Sequence, residues 1–64
     1  MKRFKVGQVW KMGDEFVMVS TTSKGRVTFG KAMEVGSSYR MVGTPTTLGK
    51  KELRSLTFVF DTEA

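Results

Sequence analysis

Short runs of apolar and polar residues alternate along this chain, and turn-forming residues separate the runs at regular intervals. The runs are rich in β-branched and aromatic residues and are too short for ordinary helices. The turn signals are Gly7, Gly13-Asp14, Ser23-Lys24-Gly25, Gly36-Ser37-Ser38, Gly43-Thr44-Pro45 and Gly49. The pattern therefore predicts an all-β domain built as a meander of short strands.

Five strands are predicted between these turns, over residues 8–12, 16–20, 26–32, 39–42 and 56–61. The run from Phe16 to Val19 is continuously apolar, which predicts that both faces of the second strand are covered and that this strand is central. Gly30 interrupts the alternation of the third strand and predicts a bulge or a sharp bend there.

The segment between the fourth and fifth strands has helical character. Gly43 and Pro45 are expected to end the fourth strand, because proline has no N–H to give to the ladder. Thr47 is a candidate cap for the segment that follows. Gly49 and the shortness of that segment favour one short 3₁₀ turn before the last strand.

The last strand is predicted from alternation. Leu56, Phe58 and Phe60 alternate with other residue types, so they are expected to form a strongly apolar inner face. Residues 1–3 and 62–64 flank the predicted elements and are expected to fray.

Two segments of the chain are characteristic, Phe4-Lys5-Val6-Gly7-Gln8-Val9-Trp10 and Thr47-Leu48-Gly49-Lys50-Lys51-Glu52-Leu53. Together with the order of the elements, they resemble the small SH3-like barrel proteins of bacteria and bacteriophages. The resemblance implies a small five-stranded antiparallel SH3-like barrel in which the fifth strand pairs with the first. KOW and Tudor domains resemble it in architecture only, because an acidic turn, Lys11-Met12-Gly13-Asp14-Glu15, replaces the basic KOW turn.

The length and the residue types limit what the chain can be. Sixty-four residues form a single domain, 1–64, since so short a chain cannot bury two independent cores. Cysteine and histidine are both absent, so neither a disulfide nor a zinc site can staple the fold. No export signal or membrane-spanning run is present, which favours the cytoplasm.

Catalysis has little support in this set of residues. Without His or Cys, a nucleophilic serine would need a lysine or carboxylate base, and no Ser-x-x-Lys arrangement has a suitable context. The carboxylates are scattered apart from Asp14-Glu15, so no metal cage is predicted, and no cofactor motif is present. The chain is therefore expected not to be an enzyme and to need no cofactor.

The formal net charge of +5 directs attention to the basic residues. Seven of them are candidates for binding nucleic acid or another anionic partner. A basic stripe on the outer surface is predicted from Lys24, Arg26, Lys31 and Arg40, and a second cluster around the last turn from Lys50, Lys51 and Arg54. A third cluster at the N-terminus consists of Lys2, Arg3 and Lys5. The alternative for each cluster is ordinary solvated surface.

Two aromatic rings, Trp10 and Tyr39, are candidates for exposed contacts such as base stacking. The alternative for both is packing within the fold, and it is the favoured interpretation for Trp10.

Three functions stay open from the sequence. The first is a phage or bacterial accessory protein that modulates a larger machine through contacts with another protein. The second is a nucleic-acid-binding module that uses a basic β-surface to bind DNA or RNA. The third is self-association into a homo-oligomer through strand edges. A membrane partner is not expected.

Overall fold

The computed structural model describes residues 3–63, which form one antiparallel sheet and one short helix. The elements are β1 (Gln8–Met12), β2 (Glu15–Ser23), β3 (Arg26–Val35), β4 (Ser38–Thr47), α1 (Lys50–Ser55) and β5 (Thr57–Asp61). The strand order is β4-β3-β2-β1-β5, so the last strand pairs with the first as predicted. The all-β prediction is confirmed. Within residues 3–63 no backbone pairing joins β4 to β5, and the sheet is open between these edges.

β2 is the central strand and is covered on both faces. Val17, Met18 and Val19 are buried in succession along it. Val17 and Val19 belong to one apolar cluster, which also contains the buried residues Trp10, Phe29 and Leu56. Met18 belongs to a second cluster, with Val9 and Ala32. Successive strand residues point to opposite faces, so the continuous apolar run of β2 contributes side chains to both clusters. The sequence prediction for this strand is confirmed.

β4 is longer than predicted, because neither Gly43 nor Pro45 ends it. Lys31 pairs with Val42 and Phe29 pairs with Thr46, so the intervening residues of β4 bulge out of the ladder. Gly43 has a positive φ of 80°, which suits it to this bulge. β4 is an edge strand, where a proline without an N–H is tolerated.

The predicted 3₁₀ turn is an α-helix. The Leu53 N–H donates to the Gly49 carbonyl at 2.9 Å, which is the i to i−4 bond of an α-helix. Gly49 is the N-cap, so it lies before the helix and does not weaken its interior; Thr47 still belongs to β4. The Glu52 side chain accepts a bond from the Gly49 N–H at 2.9 Å and fixes the start of the helix.

Gly7 joins the two ends of the described chain to the sheet. Its N–H donates to the Val19 carbonyl at 3.1 Å, and its carbonyl accepts from both the N–H and the hydroxyl of Thr62. Its φ is +94°, a conformation that favours glycine. The expectation that the C-terminal residues fray is therefore wrong for Thr62, while residues 1, 2 and 64 lie outside the described chain.

In the described part of the chain, no helix has the length and apolar character needed to cross a membrane.

Candidate binding surfaces

The outer surface of β5 is the most apolar exposed surface of the described chain. Phe58, Val59 and Phe60 are 49, 36 and 40% exposed. The other large exposed apolar side chains are Val6, Met33 and Val35. The prediction that Phe58 and Phe60 form a covered inner face is wrong, and only Leu56 of that set is buried. β5 has a hydrogen-bonded neighbour on one side only, so no strand pairs with its second edge within residues 3–63. We call Phe58, Val59, Phe60 and this unpaired backbone the β5 edge.

A register shift in β5 places Phe58 and Phe60 against different parts of the fold. Val9 pairs with Phe60 and Trp10 pairs with Phe58, so Val59 is the extra residue of a bulge. The Phe58 ring meets Trp10 edge-on with ring centroids 5.4 Å apart. The Phe60 ring contacts Tyr39 at 5.9 Å. Each ring is thus supported by the fold on one side and exposed on the other.

The two edges of the sheet differ in how well they resist pairing with another strand. Natural edge strands carry prolines, bulges and charged side chains that discourage such pairing. β4 has all three, in Pro45, the bulge that begins at Gly43, and Arg40. β5 has the sequence Thr-Phe-Val-Phe-Asp; it has one bulge, at Val59, and one charged residue, Asp61, but no proline or basic residue. The β5 edge is therefore the one suited to receive a partner.

The two aromatic candidates from the sequence are not the exposed rings. Trp10 is 6% exposed, packs against Phe4, and donates its indole N–H to Gln8 Oε1 at 3.3 Å. Tyr39 is half-buried, with its ring 5.5 Å from that of Phe16. The signal that would have identified Phe58 and Phe60 is their place on a terminal strand with one neighbour.

The seven basic candidates do not share one surface. Lys31 pairs with Val17 and Val42, and Arg40 pairs with Met33, so these two cations lie on the same face of the sheet. Arg26 lies five residues before Lys31, about 16 Å along β3. The predicted basic stripe is thus divided. Lys31 also approaches a carboxylate, with its Nζ 4.0 Å from Glu15 Oε1.

The remaining five candidates lie on the β2–β3 hairpin, at the opposite end of the sheet, and on α1, which packs beside this hairpin. Lys24 lies in the β2–β3 turn with a φ of +43°, next to Gly25 at +79°. A cleft of about 190 Å³ lies between this hairpin, the end of β4 and α1. Its lining residues are Gly25, Arg26, Val27, Thr47, Leu48 and Leu53. Because Leu53 belongs to α1, the cleft places the helix beside the hairpin. We call the set Lys24, Arg26, Lys50, Lys51 and Arg54 the basic end.

The two ends of the sheet differ in charge, although Asp61, which pairs with Gln8 at the start of β1, lies toward the same end as the β2–β3 turn. The basic end holds five cations and one carboxylate, Glu52, which is hydrogen-bonded to the Gly49 N–H. The antiparallel order places the β1–β2 and β3–β4 turns together at the other end. That end carries Asp14, Glu15 and Glu34 beside its cations. Within residues 3–63, no carboxylate forms an ion pair with Lys24, Arg26, Lys50 or Lys51.

The N-terminal basic cluster lies near acidic residues. The bond from Thr62 to Gly7 brings the C-terminal residues beside the segment that contains Arg3 and Lys5. Asp61 pairs with Gln8, and Glu63 follows it. Lys2 lies outside the described residues. This cluster is therefore less strongly positive than the basic end.

Residues 3–63 contain no group of three or more His, Cys, Asp or Glu side chains that could hold a metal ion. Comparisons with protein families, curated proteins and solved structures found no match to this chain. The resemblance to SH3-like barrels stays a prediction.

Proposed function

We propose that this chain is a non-enzymatic protein-binding domain that pairs the β5 edge with an extended segment of a partner protein. The observation that carries the proposal is an unpaired edge strand with three exposed apolar side chains and with neither a proline nor a basic residue. Backbone groups of β5 would bond to the added strand, and Phe58 and Phe60 would contact its apolar side chains.

The length of β5 defines the segment that fits. Five residues of β5 span about 17 Å, so the added strand is about five residues long. Trp10 and Tyr39 support the two exposed rings from behind. Aromatic anchors that are already positioned lose little conformational entropy on binding. A short apolar segment is thus the class of partner sequence that this edge suits best.

The non-enzymatic part of the proposal rests on the residue types. Histidine and cysteine are absent from the chain, and its carboxylates do not gather into a candidate metal site within residues 3–63. The SH3-like barrel is the finer architecture that we infer, on the strand order and the contact between the two edge strands. A phage or bacterial accessory protein that modulates a larger machine is the biological setting that this resemblance suggests.

The experiment compares two double variants in capture from a nuclease-treated extract of the native source cells. Phe58→Thr with Phe60→Thr removes the anchors but keeps β-forming residues. Met33→Thr with Val35→Thr is the matched control, because these side chains on β3 are at least as exposed as the two phenylalanines, at 52 and 51%. The β5 variant should reduce partner capture at least about tenfold, since truncating an aromatic anchor often costs about 2 kcal/mol or more.

The control variant should capture the same protein within about twofold of the unmodified chain, as expected for residues outside an interface. Equal capture by the β5 variant and the unmodified chain would reject the proposal. Equal loss in both variants would reject it as well, because the interaction would then depend on general surface hydrophobicity. A dimer of the chain that occupies β5 and excludes the partner would also count against it.

A further inference from the structure

The basic end is a second candidate binding surface, and it shares no residue with the β5 edge. Its five cations come from two elements, the β2–β3 hairpin and α1, which meet around one cleft. Glu52 is the one carboxylate among them, and its Oε1 already accepts a bond from Gly49. Arg26 lines the cleft, and the other four cations lie on the two elements that border it. Several cations on neighbouring elements attract a polyanion such as a phosphate backbone.

The positions of two lysines are not explained by the stability of the helix. Lys50 and Lys51 are the first two residues of α1, where positive charge is unfavourable because it faces the positive end of the helix dipole. Neither forms an ion pair with a carboxylate in the described part of the chain.

The position of the exposed aromatic rings indicates which kind of anionic polymer the basic end would bind. Proteins that bind single strands usually stack the bases on exposed aromatic side chains. Within residues 3–63 the exposed rings, Phe58 and Phe60, belong to β5, and the basic end has none. A surface that has cations without rings suits the regular phosphate backbone of a duplex, which it can contact without reading the bases.

We propose that the basic end binds the phosphate backbone of double-stranded nucleic acid, with Lys24 and Arg26 on one side of the cleft and Lys50, Lys51 and Arg54 on the other. The binding is independent of base sequence and depends on salt. With four or five phosphates contacted, the log–log slope of affinity against salt is about −4. This proposal uses no residue of the β5 edge.

The test measures fluorescence anisotropy of labelled DNA and RNA duplexes from about 50 to about 200 mM salt. A duplex of about 20 base pairs, roughly 70 Å long, is well beyond the 31 Å length of the described chain. Two basic-end variants are compared: Lys24→Glu with Arg26→Glu, and Lys50→Glu with Lys51→Glu. The control is Lys31→Glu with Arg40→Glu. Each pair lowers the formal net charge by four, from +5 to +1.

Both basic-end variants should weaken duplex binding at least about tenfold and reduce the salt slope by roughly 2. The control should lose clearly less, although its net charge is the same. Because the two basic-end pairs lie on different elements, one still tests the proposal if the other fails to fold. The DNA and RNA duplexes show which polymer is bound more tightly, and tighter binding of either duplex than of its single strand supports the proposal.

Three results would overturn it: no duplex binding at the lowest salt, an equal loss in the control, or tighter binding of a single strand of the same length. Duplex binding that persists in the Phe58→Thr, Phe60→Thr variant separates this proposal from the protein-binding function. Likewise, protein capture that persists in the basic-end variants shows that the protein-binding function does not depend on the basic end.

Discussion

Tyr39 on β4 and Phe60 on β5 contact each other with ring centroids 5.9 Å apart, although their strands are the opposite edges of the sheet. The sheet therefore curls until side chains of its two edges meet. The contact also holds Phe60 from one side and leaves its other side exposed, which links the curvature of the fold to the proposed binding edge.

This contact predicts energetic coupling between the two rings. Aromatic pairs contribute about 0.5–1.5 kcal/mol beyond the area they bury. In a double-mutant cycle of Tyr39→Ala and Phe60→Ala, the double variant should be less destabilised than the sum of the two single variants by about that amount. Urea denaturation measures the three free energies of unfolding. Strict additivity would show that the edges do not meet in solution.

Gly7 is predicted to be the most sensitive glycine of the described chain. It has a φ of +94°, and a Cβ at this position would collide with the side chains of Thr62 and Glu63. Gly7→Ala should cost about 1–3 kcal/mol from backbone strain alone, with crowding in addition. Gly13→Ala is the control, because its φ is +63° but its Cβ would meet nothing within 4 Å. Thermal unfolding of both variants gives the difference, and equal destabilisation would contradict the packing described for Gly7.

Replacing Gly30 is predicted to destabilise the chain for a different reason. Its backbone is not left-handed, but a Cβ there would overlap the Met41 side chain, which packs on the second apolar cluster. Gly30→Ala should therefore destabilise the chain by about 1–3 kcal/mol. Combined with Met41→Ala, it should cost less than the sum of the two single changes by about 0.5–3 kcal/mol. A simple sum in urea unfolding would show that Met41 does not lie over Gly30.

Replacing Lys50 and Lys51 is predicted to weaken duplex binding without lowering the free energy of unfolding. Replacing both with glutamate places negative charge in the first turn of α1, which favours the helix by about 0.3–1 kcal/mol per residue at low salt. The free energy of unfolding should therefore stay equal or rise while duplex affinity falls. Urea unfolding and anisotropy on the same sample provide both values. A fall in both would indicate that these lysines serve the fold.

Much of the sheet could be predicted from local pattern. β1 has the predicted bounds, because its short apolar run is enclosed by the turn signals at Gly7 and Gly13. The central place of β2 followed from its unbroken apolar run, since only a strand with neighbours on both faces buries such a run.

The predictions that were wrong concern features set by contacts between residues far apart in the sequence. The extension of β4 past Pro45 depends on its being an edge strand, which a local pattern does not reveal. Alternation predicted that Phe58 and Phe60 share a face, but the bulge at Val59 and the missing neighbour of β5 decide their exposure. Likewise, the register of β3 with β2 and β4 separates Lys31 and Arg40 from Arg26.

The most direct measurement of the central claim is amide hydrogen exchange with and without the captured partner. Strand addition at β5 predicts that outward-facing amides within Thr57–Asp61 exchange quickly in the free chain and become protected in the complex, while those of the opposite edge, β4, do not change. Protection on β4, or a complex in which no amide of β5 gains protection, would contradict the account.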